Sequence, residues 1–328
     1  MANYTYCQQD EPITIPSKDP IIKASNRFKP RPKFFELGFE SFDNFKVAAT
    51  SDVVGDSKAR VAQNLTRGIK LKFPLILKSE TNLFGGVGYR HEQFKFDQKT
   101  DPDYPLFERF EDKSLKRLSF NLYLKKDLLK SKFVFAYINS SLNSDKPQLR
   151  NFTDQLKLSF ALLYGKNLNP HKQFGGGISF GYDFGQPVIF PLILFSNDFS
   201  LHWGYEFLLP KSMKLRYSPT NQNHVILSTE LQGASYHLQD SLFAGFERLE
   251  FRRSSVRITL TYERELHDWF WLGFTVGYRE PINIFVSEPG NSRTDALLTI
   301  NAKSALYYGI YIFCVPPVKM YKKAKSSG

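Results

Sequence analysis

A chain of 328 residues that is 42% hydrophobic and 16% aromatic, with 31 Phe and 17 Tyr against three Met, favours strands over helices. Charged residues make up 23% and the mean hydropathy is −0.35. No window holds the roughly eighteen uninterrupted apolar residues of a membrane-crossing helix, which excludes a helical membrane protein but not a barrel whose strands are apolar on one face only.

The net charge of +12 does not point to nucleic acid, because nine of those charges lie in two end segments, 18–33 and 318–328, which read as flexible basic ends. The first residues lack the basic and apolar regions of a secretory signal. Export would therefore make the residues up to about Cys7 the end of a signal, with maturation near Gln8 or Gln9. Cys7 and Cys314 have neither metal-binding nor redox spacing.

The first strand is predicted over 34–50. The second, over 59–73, sets Ala59, Val61, Leu65, Ile69, Leu71 and Phe73 against Asn64, Thr66, Lys70 and Lys72. Arg67 falls on the apolar side, which predicts a bulge there or a side chain reaching toward an interface. The third strand places Leu83, Val87 and Tyr89 opposite Arg90 and Glu92, and a loop of some fifteen residues follows around Asp101 to Pro105. The fourth alternates Leu118, Phe120, Leu122 and Leu124 with Arg117, Ser119, Asn121, Tyr123 and Lys125. The fifth covers 133–140, and the sixth sets Leu156, Leu158, Phe160, Leu162 and Tyr164 against Lys157, Ser159 and Ala161. In the seventh, 174–184, aromatics and Ile178 alternate with Gly175, Gly177, Ser179, Gly181 and Asp183; inner-face glycine predicts room for a neighbouring backbone or an inward loop.

Residues 187–197 read as an apolar loop containing Pro191. The sharpest strand follows over 199–209, with Phe199, Leu201, Trp203, Tyr205, Phe207 and Leu209 on one face and Ser200, His202, Gly204 and Glu206 on the other. Residues 210–223 read as its turn, with room for a short extended piece at Leu215-Arg-Tyr, and the ninth strand covers 225–238. The tenth sets Val256, Ile258, Leu260 and Tyr262 against Arg257, Thr259, Thr261 and Glu263. The eleventh sets Phe270, Leu272, Phe274, Val276 and Tyr278 against Gly273, Thr275, Gly277 and Arg279, and the last covers 304–314.

Turns near 76, 128, 169, 216 and 267 are mostly short, and those near 54, 105, 147, 191, 246 and 292 mostly long. Such sorting predicts an all-β fold, a closed antiparallel transmembrane β-barrel of about 12 strands over 34–315, with a signal remnant and basic leader at 1–33 and a basic tail at 316–328. Tyr89, Tyr164, Tyr182, Tyr205, Tyr262 and Tyr278 stand near strand ends, as aromatic girdles require.

The stretches Ser200-Leu-His-Trp-Gly-Tyr-Glu-Phe-Leu-Leu-Pro, Leu215-Arg-Tyr-Ser, Gly233-Ala-Ser-Tyr-His-Leu and Val256-Arg-Ile-Thr-Leu-Thr-Tyr-Glu, within 175–314, resemble an uncharacterised outer-membrane β-barrel family of Bacteroidetes-type bacteria, a domain of unknown function. The resemblance implies an exported barrel in the bacterial outer membrane and no activity, since that family has no catalytic residues to carry over.

Ser200, His202 and Glu206 share one predicted strand face, but residues two apart on a strand stand about 7 Å apart, too far for direct Ser-to-His hydrogen bonding. The histidines show no metal-ligand spacing, and the glycine clusters lie within strands and not before a helix, so no metal, cofactor or nucleotide site is expected. The expected lumen lining is Lys70, Arg90, Glu92, Arg117, Lys157, His202, Glu206, Glu230, Arg257, Glu263 and Arg279, joined by Lys72, Lys125 and Asp183. Bases outnumber acids there, which favours small anionic solutes if a pore is open; pairing of the same charges would close it. A channel or porin-like transporter is the leading expectation, a non-conducting scaffold for other envelope proteins the alternative, and an outer-membrane hydrolase the third. Outer-membrane lipid is the expected partner in each case, and nucleic acid is not.

Overall fold

The computed structural model describes residues 29–147, 152–239, 243, 245–246 and 248–316. The predicted signal remnant, most of the leader and nearly all of the tail lie outside the described residues. Sixteen strand segments form one sheet: β1 (Phe35–Phe42), β2 (Phe45–Thr50), β3 (Ser57–Leu77), β4 (Thr81–Asp97), β5 (Leu115–Asp127), β6 (Lys132–Ser144), β7 (Leu156–Asn169), β8 (Lys172–Gly181), β9 (Val188–Asn197), β10 (Trp203–Leu209), β11 (Ser212–Thr220), β12 (Asn223–Leu238), β13 (Leu249–His267), β14 (Phe270–Ser287), β15 (Leu298–Ala302) and β16 (Ala305–Cys314). Among the described residues two short α-helices, α1 (Pro105–Asp112) and α2 (Phe152–Gln155), sit in loops.

Fourteen segments close the ring, because β1 pairs antiparallel with β16 on one side and with β3 on the other. The remaining two, β2 and β15, pair with each other and extend the wall at one rim, where β2 also joins β3 and β15 joins β14. The barrel thus has 14 strands and not about 12. The two ring strands absent from the sequence reading flank its sharpest stretch; the strand expected over 34–50 divides into β1, in the ring, and β2, outside it, and β15 lies where a loop is expected. The sequence of β9 reads as a loop because Val-Ile-Phe-Pro-Leu-Ile-Leu-Phe is apolar on both faces and holds Pro191. Pro191 is tolerated because β10 pairs with β9 only over 193–197, leaving that edge open at the proline. β11 was read as a turn because prolines bracket it, yet Met213, Leu215 and Tyr217 alternate with Ser212, Lys214, Arg216 and Ser218. Inserting a strand on each side of β10 reverses its direction and leaves that of every other strand unchanged.

The connections sort by rim. At the rim near both described ends, turns 78–80, 128–131, 170–171, 198–202, 221–222 and 268–269 are short, and at the other rim most connections are long loops. Residues 199–202 belong to the turn before β10, so Leu201 lies at the short-turn rim and not within a strand.

Between the rims the outer face is apolar. Leu71, Phe120, Ile138, Phe160, Ile178, Leu227, Ile258, Leu260, Phe274 and Ile310 are exposed, Leu260 at 48%. Tyr164 and Tyr262 edge this belt toward the short turns, while Tyr89 and Tyr278 edge it toward the long loops, forming two girdles. Tyr182 belongs to neither, since it follows β8 in a loop, where Lys157 lies over its ring. A surface this apolar on a closed sheet is a lipid-facing surface.

Above the belt several strands continue. A bulge between Val61 and Gln63, not at Arg67, switches the faces of β3: Leu65, Ile69, Leu71 and Phe73 face out, whereas Ala59 and Val61 turn inward. Arg67 stays on the outer face, exposed. The top of β12 touches β6 through a parallel bridge, His237 to Ser144, skipping the five strands between them, so that the upper wall closes through β2–β6 and β12–β15. Loop 182–187 packs behind this partition. A Cβ on Gly233 would stand 2.1 Å from the Tyr182 carbonyl oxygen, so this contact requires glycine. Gly177 is required for the other anticipated reason, a neighbouring backbone: its Cβ would stand 2.0 Å from the carbonyl oxygen of Leu162 on β7.

Leu260→Arg, in the belt, should cost ~2–4 kcal/mol of stability in lipid vesicles, and Leu201→Arg, at the rim, ~0–1 kcal/mol, as urea titrations would show. Equal costs would displace the belt from this height.

Candidate functional site in the barrel lumen

The interior is layered. At the top, inward residues of β2, β3, β4, β13 and β14 form a hydrophobic core with α1. The region was expected to be loop, but Pro105 opens a helix at N1, and Leu106, Phe107 and Phe110, at helical spacing, bury one face. Phe110 packs on Phe94 and Phe251, with ring centroids 5.5 and 4.8 Å apart. The Tyr104 hydroxyl donates to the Gly55 carbonyl at 3.0 Å; burial, with Asp56 and Asp101 nearby, pushes its phenol up to about 12. Arg109 ties the helix to Asp145 at 2.6 Å. This aromatic plug closes the long-loop end.

Below the plug lies a layer of arginines. Arg253 grips Glu92 through two nitrogens at 2.8 and 2.5 Å, reaching across from β13 to β4, and Asn64 donates to Glu92 at 3.0 Å. Arg90 and Arg257 share Glu40 at 2.9 and 3.4 Å, and Tyr311 donates to the same carboxylate at 3.0 Å. Arg279 lies over Phe42 at 4.0 Å and Phe45 at 4.7 Å. Stacking on rings and charge-assisted bonds are how buried guanidinium groups are stabilised.

At the short-turn end, residues 29–34 cross the mouth. Lys29 meets Asp198 at 2.9 Å, Arg31 meets Glu265 at 3.0 Å and lies over Trp271, and Lys33 bridges Glu36 at 3.0 Å and Glu263 at 2.8 Å. Part of the predicted leader is therefore a strap on the lumen. Two adjoining cavities lie between strap and plug, of about 680 and 470 Å³, with Lys70, Arg90, Arg117, Tyr123 and Tyr137 lining both. The larger runs from Phe94, Phe110 and Phe251 along the arginines to Glu206 and across to the β10–β11 turn at Lys211.

Of the expected lumen residues, Lys70, Arg90, Arg117, Glu206, Glu230, Arg257 and Arg279 line the larger cavity. Glu92 and Glu263 are buried in the pairs described above. Lys157 lines neither of these cavities: it pairs with Glu250 at 2.5 Å behind β12–β13 and lines a smaller space of about 80 Å³ that adjoins them at Arg117 and Tyr137. His202 lies in turn 198–202, where its Nδ1 donates to the Ser218 carbonyl at 2.7 Å, and it lines none of the three cavities. Ser200 shares that turn while Glu206 faces the lumen, so the hydrolase grouping rests on a strand face that does not exist there. Among the described residues no group of His, Cys, Asp and Glu could hold a metal ion.

Sequence reasoning missed Glu36, Glu40 and Arg253. The first two stand at alternate positions around Gly38 in β1, a visible signal, while Arg253 lay in a segment read as loop because β13 begins at Leu249 and not near 255.

No family model matches the sequence, and no curated protein matches it. Solved structures with a similar course include an outer membrane channel from Pseudomonas putida F1, at 10% identity over 87% of this chain and 97% of that one with a TM-score of 0.41. The Pseudomonas putida toluene transporter TodX is similar at 9% identity over 85% and 88% with a TM-score of 0.33, and a bacterial polysaccharide outer membrane secretin at 9% over 87% and 99% with a TM-score of 0.34. The closed, belted wall is that of an outer-membrane β-barrel.

Glu92→Ala leaves Arg253 buried without its carboxylate and should cost about 3–5 kcal/mol in urea unfolding of the micellar protein. Asp97→Ala, which breaks only the rim pair with Arg60, should leave the unfolding midpoint unmoved.

Proposed function

We propose that the protein is a solute channel of the bacterial outer membrane, occluded in this conformation and not a permanently open porin. The observation that carries this reading is the pair of joined cavities lined by bases and held between the aromatic plug and the strap. A barrel that served only as a wall would have no need of such a space. Arg90, Arg117, Arg253, Arg257 and Arg279 outnumber the carboxylates beside them, so the solutes are small anions. The residues that resemble the Bacteroidetes-type family lie on adjoining segments, in β10 and the turns flanking it and in β11, β12 and β13, and that family is the one we propose for the chain. A second reading, a non-conducting scaffold for other envelope proteins, is favoured by the close pairing of the inner charges and by the packed plug.

In planar bilayers the wild type should pass little steady current. Replacing Phe107 and Phe110 together with Ala should loosen the plug and open an anion-selective conductance, and adding Arg257→Glu should shift the reversal potential toward cations. Absence of current in the folded double variant would remove the channel and leave the scaffold.

A further inference from the structure

We infer that the larger cavity binds a compact amphipathic carboxylate, its head on Arg279 and its apolar body beneath the aromatic plug; this deepens the channel reading by naming the class of solute.

Arg279 is 8% exposed and lines the cavity. Among the described residues it has no ion pair, and its Nε has no hydrogen-bond partner. The carboxylates around this layer are already engaged, Glu92 by Arg253 and Asn64, Glu40 by Arg90, Arg257 and Tyr311, and Glu230, opposite Arg257 on β12, by Lys214 at 3.3 Å. Of the four guanidinium groups of the layer, Arg279 is therefore the one that has no carboxylate partner among the described residues. Its guanidinium carbon lies over the rings of Phe42 and Phe45, 4.0 and 4.7 Å from their centroids, contacts that hold the group in place without using its N–H donors. A buried guanidinium with a free edge is a site for a planar, two-oxygen anion, which it grips with parallel hydrogen bonds.

The rest of the wall selects what the anion carries. Above Arg279 the same cavity is bounded by Phe94, Phe110, Phe251, Ile284 and Ile300. A neutral hydrocarbon would leave Arg279 unpaired, and an inorganic anion would leave the apolar end unfilled; both omissions cost affinity. A carboxylate on a ring or short chain satisfies both ends, and about 680 Å³ is ample room for one.

Titration calorimetry of the full chain in a neutral detergent tests the site with three probes: benzoate, benzyl alcohol and inorganic phosphate. Benzoate should bind at least tenfold more tightly than either of the others, and Arg279→Gln should weaken it at least tenfold. Arg279→Lys, which keeps charge and bulk but loses the fork, should give an intermediate affinity and serves if the Gln variant does not fold. Equal binding of benzyl alcohol would reduce the site to an apolar hole, preferential binding of phosphate would make it a plain anion site, and no benzoate binding would end the proposal. Binding in detergent requires no flux, so benzoate binding without conductance in the plug variant would remove the channel and keep the site; conductance without benzoate binding would do the reverse.

Discussion

In hydrocarbon no water is present to bond an exposed backbone N–H or C=O, so a sheet can cross a membrane only if it has no edge. In this chain that requirement falls on β1. Its eight residues carry two ladders at once, Phe35 to Phe42 against Cys314 to Tyr307 on one side and against Leu71 to Asn64 on the other. Where those ladders end at Phe42, the chain breaks for two residues before β2 resumes against β3 higher up. The seam is thus continuous within the belt and interrupted above it. Closure then sets the second problem, since every alternate side chain of fourteen strands points into one bounded volume. Charges placed there must find one another or stay in contact with water.

Much of this was legible because the wall reports itself twice, through period-two alternation and through the sorting of loops between rims. Twelve strands could be read where one face was apolar and the other polar, as in Leu156 to Tyr164 or Phe270 to Arg279. β9 escaped because both its faces are apolar, so periodicity carries no information there. β11 escaped because Pro210 and Pro219 made its clean alternation look like part of a long turn. An error of two strands leaves parity intact, which is why the rim assignment stands although the count does not. α1 was hidden for a different reason: eight residues give barely two helical turns, and Asp-Pro-Asp-Tyr-Pro before them signals a loop.

The lumen was legible as a set of faces but not as a set of partners. Alternation alone put Arg90, Arg117, Arg257 and Arg279 on the inner side, because inward parity is a local property. Which carboxylate each one meets is set by contacts across the barrel, such as Arg253 with Glu92, 161 positions apart. Lys157 shows the limit well. Its parity is inward, yet beside the partition formed by β12 touching β6 it lines neither of the two larger cavities and pairs instead with Glu250 of β13. No reading of β7 by itself contains that partition.

Vertical polarity in this barrel comes from one structural device, the change of face along a strand. In β3 the bulge between Val61 and Gln63 lets Leu65 and Leu71 face lipid while Val61 and Ala59, further up the same strand, face inward. The barrel therefore has an apolar exterior at one height and an apolar interior at the next, and the arginine layer lies where the two regimes meet. There the inner wall has left the strap and its glutamates behind and has not yet reached the plug. A guanidinium is suited to that boundary, since it can lie over the rings of Phe42, Phe45 or Tyr307 while its N–H groups keep hydrogen-bonding capacity. Lysine would satisfy the charge but could not stack in this way, which accounts for arginine at 253, 257 and 279 in a chain whose surface charge is largely lysine. Two carboxylates hold three of the four arginines, and the fourth, Arg279, lies over the rings of Phe42 and Phe45, so the layer is ordered by contacts made within the protein.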